Sequence, residues 1–438
     1  MTHLPGKLTA PPLGVVFVLA MLLAAALRLV LLTSPGMTAD LDQFVIWTHG
    51  IATAPLGHAY DQDIAFPPVM VYVWWLLGVV EPALRTTVTS IDPIVRVVMK
   101  APASLADLGI AVAIAWHLRT TPRWAVFGAL GFALNPVALD VSAWWGQYES
   151  MYVLAGVIAF VLAVRGQSLL AAVAIGIAVS TKPQALVFVI PFGAWFLARD
   201  GWRGLLTAAL AMTATVAISW VPFVAAGGVE HYAQNVAQYQ DNAFAFVSFR
   251  AWNPWWLIEQ LRGSNPLSDQ TRLLGIVTAR NVGYLLAVVG ECAVGWLVFR
   301  ARSPRALALG LATAVLVAFT LLTTMHERYA FGALAFLPLA FPDRRVLGLW
   351  IAFTVVYTLN LLSAVPPQPF VATLLPVNGP IGVVGSIVLT ALTGWSAALL
   401  ASADDAGTAR ELRPPADVQG LTAEDPPRDR QAQIPADQ

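Results

Sequence analysis

The feature that most constrains the fold is a series of long apolar stretches along the chain. Many run for roughly 15 to 22 residues with at most one ionisable side chain, the length that a helix needs to cross a hydrocarbon layer of about 30 Å. The clearest are residues 13–33, 204–223, 282–299, 306–323, 346–362 and 381–400. Of the 438 residues, 58% are apolar and 11% are charged, too few charges to build a water-soluble surface. The sequence therefore predicts an all-α polytopic transmembrane helical bundle.

The rest of the composition argues against several classes of function. The net charge is zero, so no basic surface indicates nucleic-acid binding. The single cysteine, Cys292, lies in an apolar run typical of a buried thiol, and no disulfide or cysteine metal site can form within one chain. The sequence contains no Walker loop, dinucleotide fingerprint, zinc spacing or nucleophile elbow. This argues against cytosolic nucleotide-sugar or ATP chemistry.

Basic residues predict the topology, because they mark cytoplasmic loops. Those expected inside are Lys7, Arg119, Arg123, Arg165, Arg199, Arg203, Arg300, Arg302, Arg305, Arg344 and Arg345. Between these loops the sequence predicts helices at 13–33, 94–116, 124–141, 150–164, 168–181, 183–198, 204–223, 281–299, 304–324, 329–341, 346–363 and 380–400. About twelve crossings place both termini in the cytoplasm. Residues 1–400 then form one transmembrane domain, and the proline-rich segment 401–438 is predicted to be a disordered cytoplasmic tail.

The apolar segment 66–80 conflicts with this alternation, because one more span would move every later basic loop outside. It is either a re-entrant or interfacial helix, or it is paired with a second span in 82–95. We favour the first, since Glu81, Arg85 and Asp92 are poorly suited to a membrane-crossing stretch. The external loops are then 34–93, 142–149, the turn at 182, the aromatic-rich loop 225–280, 325–328 and 363–379.

Candidate chemical groups concentrate in these external loops. Asp40 and Asp42 follow the first helix, where a carboxylate can act as a general base or simply cap a helix. Lys182 lies at a tight turn between apolar helices, where it can pair with a phosphate or extend to lipid headgroups.

Two further clusters suit carbohydrate and phosphate. Trp145, Gln147, Tyr148 and Glu149 can stack on a sugar and bind its hydroxyls, or belong to an interfacial aromatic belt. His326, Glu327 and Arg328 follow a long apolar helix, where Arg328 and a protonated His326 suit a lipid phosphate, or the cluster is a charged helix boundary. Asp107 and Glu291 lie within predicted helices and are either functional or paired with Arg96, Lys100 or a backbone group.

The order of these motifs resembles that of GT-C glycosyltransferases. The motifs are the segment 40–47, Phe66-Pro-Pro68, 98–107, Trp145-Gly-Gln-Tyr148, Lys182-Pro-Gln184, Trp220-Val-Pro-Phe223 and Met325-His-Glu-Arg328. The chain is similar to the bacterial enzymes that use polyprenyl-phosphate mannose and to the eukaryotic glucosyltransferases that use dolichyl-phosphate glucose. It departs from the eukaryotic pattern at Phe66, Glu149 and Arg328, where that pattern has tyrosine, asparagine and lysine. These departures leave the sugar and the acceptor open.

The resemblance implies an inverting transfer of one hexose, mannose or glucose, from a polyprenyl-phosphate carrier to an extracytoplasmic lipid-linked or glycan acceptor. It implies no cofactor and no required metal, with Asp40 as the general base and Asp42 as its alternative. Lys182, His326 and Arg328 are expected to bind the donor phosphate, and Trp145, Gln147, Tyr148, Glu149 and Glu327 the sugar or acceptor.

The expected location is a bacterial plasma (inner) membrane with the active site on the extracytoplasmic side. A transporter or flippase of lipid-linked sugars is the main alternative function, and a non-catalytic subunit that binds polyprenyl phosphate is another.

Overall fold

The computed structural model describes residues 12–273 and 275–403, and this part of the chain is almost entirely helical. Eight helical segments are long and apolar enough to cross a membrane: Leu13–Leu32, Pro93–His117, Pro122–Trp145, Pro183–Val224, Ala279–Ala301, Pro304–Leu321, Arg344–Ala364 and Pro380–Ala401. The prediction of an all-α multi-pass membrane protein is confirmed at this level. The predicted tail 401–438 lies outside the described residues from position 404 onward.

Seventeen α-helices are present in the described residues. They are α1 Leu13–Leu32, α2 Thr38–Thr53, α3 Pro68–Val80, α4 Pro93–His117, α5 Pro122–Ala133, α6 Pro136–Ala138, α7 Glu149–Val164, α8 Ser168–Thr181, α9 Val189–Val224, α10 Gly228–Gln238, α11 Pro254–Leu261, α12 Ala279–Ala301, α13 Pro304–Leu321, α14 Phe331–Phe336, α15 Arg344–Ala364, α16 Pro369–Leu374 and α17 Pro380–Ala401. Short 3-10 turns lie at Leu56–Asp61, Pro82–Arg85, Pro183–Phe188 and Leu337–Ala340, and π-helical turns at Leu139–Trp145 and Tyr239–Ala243.

Two features of the long helices follow from glycine and proline. Gly201 interrupts α9 with φ 69° and ψ −169°, a conformation that is open to glycine and not to a helix interior. The break divides α9 into the two segments that were predicted separately at 183–198 and 204–223. Asn135 caps the helix that starts at Pro136, so the predicted helix at 124–141 is broken where proline follows asparagine.

Four apolar helical segments are shorter: Pro68–Val80, Glu149–Val164, Ser168–Thr181 and Phe331–Ala340. The first, α3, begins at a proline and has 13 residues. At about 1.5 Å per residue it is roughly 20 Å long, less than the thickness of a hydrocarbon core. Its assignment as a re-entrant or interfacial helix stays a prediction.

Four two-residue strands complete the described fold. They are β1 Ser248–Phe249, β2 Arg272–Leu273, β3 Val277–Thr278 and β4 Met325–His326. β2 and β3 form an antiparallel pair, whereas β1 pairs in parallel with β4. The second pairing connects the long aromatic loop to the segment that carries His326.

Arginine side chains gather at one end of the bundle. Arg119 and Arg165 both stack on the Trp116 ring, with 5.1 Å from each guanidinium carbon to the ring centroid. Arg305 pairs with Asp343 at 2.6 Å in the same set of turns. Because successive helices run up and down the bundle, the segments that carry Asp40, Lys182 and His326 lie at the other end. The arginine-rich turns and the candidate site residues therefore lie at opposite ends of the bundle.

The interior contains a buried ion pair within the apolar core. Arg28 Nη2 lies 3.0 Å from Asp107 Oδ2, and the exposed fractions of the two side chains are 2% and 0%. Ser150 Oγ donates to the other Asp107 oxygen at 2.6 Å. Asp107 is thus paired with Arg28 and not with Arg96 or Lys100, because α1 packs directly against α4.

Two predictions for α12 have different outcomes. Glu291 is buried, and neither carboxylate oxygen has a hydrogen-bond partner among the described residues. Cys292, expected to be buried, is exposed. The expectation was wrong because an apolar sequence surrounds a membrane-facing thiol as readily as a core thiol.

Candidate active site

A cavity of about 700 Å³ lies at the end of the bundle opposite the arginine-rich turns. Its lining comes from segments 37–47, 65–66, 145–147, 182–184, 236–250 and 324–329, and from Val365. These segments are the ends of helices and the loops between them. Residues that are more than 300 positions apart in sequence therefore share one space.

Asp40 lines this cavity and is held by two side chains. It lies in the first turn of α2, and its Oδ2 accepts hydrogen bonds from Trp145 Nε1 at 2.9 Å and from Gln147 Nε2 at 2.6 Å. Among the described residues, no donor is hydrogen-bonded to Oδ1. One oxygen thus fixes the carboxylate, and the other is available to a ligand.

The turn that carries Trp145 and Gln147 depends on Gly146 and Lys100. Gly146 has φ 91°, and a Cβ atom there would lie 2.9 Å from Lys100 Cγ. The buried Lys100 donates from Nζ to Ser34 O at 2.8 Å and to Trp144 O at 2.6 Å. Lys100 therefore joins the segment before Asp40 to the segment that holds it. Sequence reasoning considered Lys100 only as a partner of Asp107, although a lysine inside an apolar helix was a signal of its own.

A buried ion-pair cluster lies beside Asp40. Lys182 Nζ donates to Glu149 Oε1 at 2.5 Å, and Arg328 Nε lies 3.4 Å from the same oxygen. Arg328 Nη1 also donates to Glu327 Oε1 at 3.0 Å. Burial lowers the pKa of Lys182, and Glu149 opposes that effect. Two cations are thereby held next to one another with their charge balanced by carboxylates.

His326 is a neutral hydrogen-bonding group in this cavity. Burial, together with Arg328 and Lys182, lowers the pKa of His326 well below its usual value. Because a guanidinium can only donate, the 3.2 Å contact from Arg328 Nη1 makes His326 Nδ1 the acceptor. The ring hydrogen is then on Nε2, which has no hydrogen-bond partner in the described part of the chain. Because burial and two neighbouring positive charges disfavour protonation, the structure favours a neutral imidazole over the protonated His326 considered from the sequence.

The long aromatic loop forms one wall of the cavity. Phe249 stacks on the His326 ring with centroids 4.5 Å apart and an interplanar angle of 9°. Tyr239 and Phe244 also line the cavity. Arg250, another lining residue, donates to Ala364 O at 2.7 Å. Sequence reasoning singled out the aromatic residues of this loop but missed Arg250, for which the sequence carried no signal.

The predicted site residues fall into two groups. The seven that line the cavity are Asp40, Trp145, Gln147, Lys182, His326, Glu327 and Arg328. Asp42 instead accepts hydrogen bonds from the backbone N and Oγ of Ser90, both at 2.6 Å. Tyr148 is fully buried among apolar side chains and donates to Met99 O at 2.9 Å. Glu149 does not line the cavity but contacts its cations Lys182 and Arg328.

In the described residues, no group of three or more metal-ligating side chains comes together.

These observations describe an all-α multi-pass membrane protein with an ion-pair-lined cavity at one end of its bundle. No protein-family model matches the chain, and no curated protein matches it significantly.

Proposed function

We propose that the chain is a GT-C type glycosyltransferase that transfers a hexose from a polyprenyl-phosphate carrier to an extracytoplasmic lipid-linked or glycan acceptor. The observation that carries the proposal is the position of Asp40. Its carboxylate, oriented by Trp145 and Gln147, shares one cavity with the cations Lys182 and Arg328. An inverting transfer from a lipid phosphate needs this combination of a base and a phosphate-binding cation.

Asp40 acts as the general base in this proposal. It takes the proton of the acceptor hydroxyl while that oxygen attacks the anomeric carbon and forms the new glycosidic bond. The bond from the anomeric carbon to the phosphate oxygen breaks, and the electron pair leaves with the polyprenyl phosphate. The hydrogen bonds to Oδ2 keep the carboxylate fixed before the substrate arrives, so little reorganisation is needed.

Arg328 and Lys182 stabilise the negative charge of the departing phosphate. Arg328 offers a forked donor pattern that suits phosphate oxygens. His326 contributes its neutral Nε2–H as a further donor. Trp145, Gln147 and Glu327 contact the sugar or acceptor, and no step requires a metal or an added cofactor.

In the proposed topology the chain crosses the plasma membrane twelve times, and both termini lie in the cytoplasm. Two observations support it: the arginine-rich turns gather at one end of the bundle, and the cavity lies at the other. Under the bias of basic residues toward the cytoplasm, the cavity opens on the extracytoplasmic side.

The test is a transfer assay with purified protein and defined polyprenyl-phosphate hexoses. Asp40→Asn should abolish turnover, whereas Asp241→Asn, which alters a 70% exposed carboxylate, should retain it. If Asp42→Asn were the inactive variant and Asp40→Asn turned over normally, Asp42 would be the base. Transbilayer movement of the lipid-linked sugar in sealed vesicles, with no glycosyl product, would favour the flippase instead.

A further inference from the structure

A second cavity, of about 360 Å³, lies among the arginine-rich turns at the end of the bundle opposite the candidate active site. It is enclosed by the C-terminal end of α7, the first half of α9 and the turn between α12 and α13. Its lining residues are Val164, Trp195, Ala198, Arg199, Arg302 and Pro304. The proposed glycosyl transfer makes no use of this space.

Two guanidinium groups of this cavity have unused donors. Arg199 donates from Nη1 to Ala163 O at 2.7 Å, and its Nε lies 3.8 Å from Asp200 Oδ1. Its Nη2 has no acceptor among the described residues. The Arg302 side chain is exposed and contacts the Phe299 ring at 5.4 Å, but no acceptor in the described part of the chain bonds to it. Asp200 therefore offsets only part of the positive charge.

Trp195 supplies a third unused donor. The residue is 4% exposed, yet its indole Nε1 has no hydrogen-bond partner within residues 12–273 and 275–403. A buried polar group without a partner is destabilising, so a ligand that accepts this hydrogen bond is bound more tightly. All three unused groups are donors, two of them positively charged. Their common ligand is an anion with several acceptor oxygens.

Exposed tryptophans at this end of the bundle indicate the source of that anion. Trp202 follows the break at Gly201 and is 69% exposed, and Trp116 at the same end is 54% exposed. Exposed tryptophans beside arginines are typical of the level of the lipid headgroups. The cavity walls Val164, Ala198 and Pro304 are apolar, as a site for an attached glycerol backbone requires.

We propose that this cavity binds the phosphate of an anionic phospholipid, with Arg199, Arg302 and Trp195 as the donors. The site is separate from the candidate active site, so it holds whether or not the chain transfers sugars. Bound lipid would connect α7, α9 and the α12–α13 turn, and thereby stabilise the bundle.

The test measures lipid binding to delipidated, detergent-purified full-length protein by native mass spectrometry and by thermal unfolding. The probes are phosphatidylglycerol, phosphatidylcholine, inorganic phosphate and glycerol phosphate. Arg302→Gly is the most informative variant, because Arg302 has φ 51° and glycine adopts that conformation without strain. We expect it to keep the lipid-free melting temperature and to weaken phosphatidylglycerol binding about tenfold, the loss expected for one charge-assisted hydrogen bond.

Arg199→Gln should weaken binding similarly, and Trp195→Phe should weaken it less. The matched control is Arg203→Gln, an exposed arginine of the same helix that does not line the cavity, which should change affinity by less than about twofold. If Arg203→Gln and Arg302→Gly lost the same phosphatidylglycerol affinity, the lipid would be attracted by the overall positive charge and not bound in this cavity, and the proposal would be overturned. Equal binding of the two phospholipids, or full stabilisation by inorganic phosphate or glycerol phosphate alone, would also overturn it.

Discussion

The buried pair between Lys182 and Glu149 gives a sharp test of how charge is balanced beside the candidate base. Their side chains are 4% and 0% exposed, and the same Glu149 oxygen lies 3.4 Å from Arg328 Nε. Glu149→Gln removes the negative charge that separates two buried cations, although the amide can still accept a hydrogen bond. Breaking a buried pair by removing one partner costs about 3–5 kcal/mol.

We expect Glu149→Gln to lower stability by about 3 kcal/mol, near the lower end of that range because of the retained hydrogen bond. This corresponds to a fall in melting temperature of roughly 5 °C or more. The assay is thermal unfolding of purified protein without substrate. Adding Lys182→Met to Glu149→Gln should recover part of the lost stability, because it removes one of the two buried cations that Glu149 no longer neutralises.

The matched control for this pair is Asp241→Asn, which removes the 3.4 Å ion pair between Arg280 and a 70% exposed carboxylate. It should change stability by less than about 1 kcal/mol. If Glu149→Gln proved as mild as this control, or if the double variant lost as much as the two single variants together, the pair would not be energetically coupled.

Two further predictions concern the groups around Asp40 and His326. Because the folded-state pKa of His326 is depressed, the unfolded chain binds the extra proton as pH falls below about 6.5. The contribution of neutral His326 to the free energy of unfolding is therefore fully present above that pH and decreases below it. Between pH 7.5 and 5.5 the wild-type protein should lose about 1.4 kcal/mol more of this free energy than His326→Gln does. Unfolding measured at both pH values checks this difference. Gln147→Met removes a 2.6 Å hydrogen bond to Asp40, so we expect transfer to slow about tenfold with little change in melting temperature; an unchanged rate would mean that Trp145 alone orients the base.

Helix positions were predictable from the sequence because membrane-spanning length and apolarity are local properties. The predicted segment 380–400 corresponds to Pro380–Ala401, and the predicted 168–181 corresponds to Ser168–Thr181. The short helices of the loop 225–280 were not predicted, because they depend on caps and on contacts with the bundle. Apolarity also cannot distinguish a core position from a lipid-facing one, as Cys292 shows.

The candidate site was predictable by residue type and only partly by arrangement. Rare polar residues at helix ends indicated Asp40, Lys182 and Arg328, which line one cavity. The pairing of Lys182 with Glu149 depends on how α7 meets the end of α8, a tertiary contact that no local pattern encodes. The resemblance alone ranked Asp40 above Asp42, and the residues themselves could not show that Asp40 is held by Trp145 and Gln147 while Asp42 is bonded to Ser90.

The charge balance of the cavity leads to a prediction about donor binding that rests on the proposed function. The charged side chains that line or adjoin the cavity are the carboxylates Asp40, Glu149 and Glu327 and the cations Lys182, Arg250 and Arg328, beside the neutral imidazole of His326. With every carboxylate ionised, these charges cancel, so the cavity has no net positive charge to attract an anionic donor. Burial raises the pKa of Glu327, with Arg328 opposing and Asp40 adding to the effect. Glu327 is therefore the carboxylate best placed to accept a proton when a phosphate enters.

We expect the affinity for a polyprenyl-phosphate hexose to fall as pH rises through the pKa of Glu327, because deprotonation places another negative charge near the phosphate. The donor is a phosphodiester and does not itself titrate between pH 5.5 and 8.5, so the protein alone sets the slope. Glu327→Gln should flatten the profile and bind the donor more tightly than the wild-type protein at the upper end of this range. Both proteins contain His326, so its contribution cancels when their plots of affinity against pH are compared. If the slope were the same in Glu327→Gln as in the wild-type protein, another group would take up the proton.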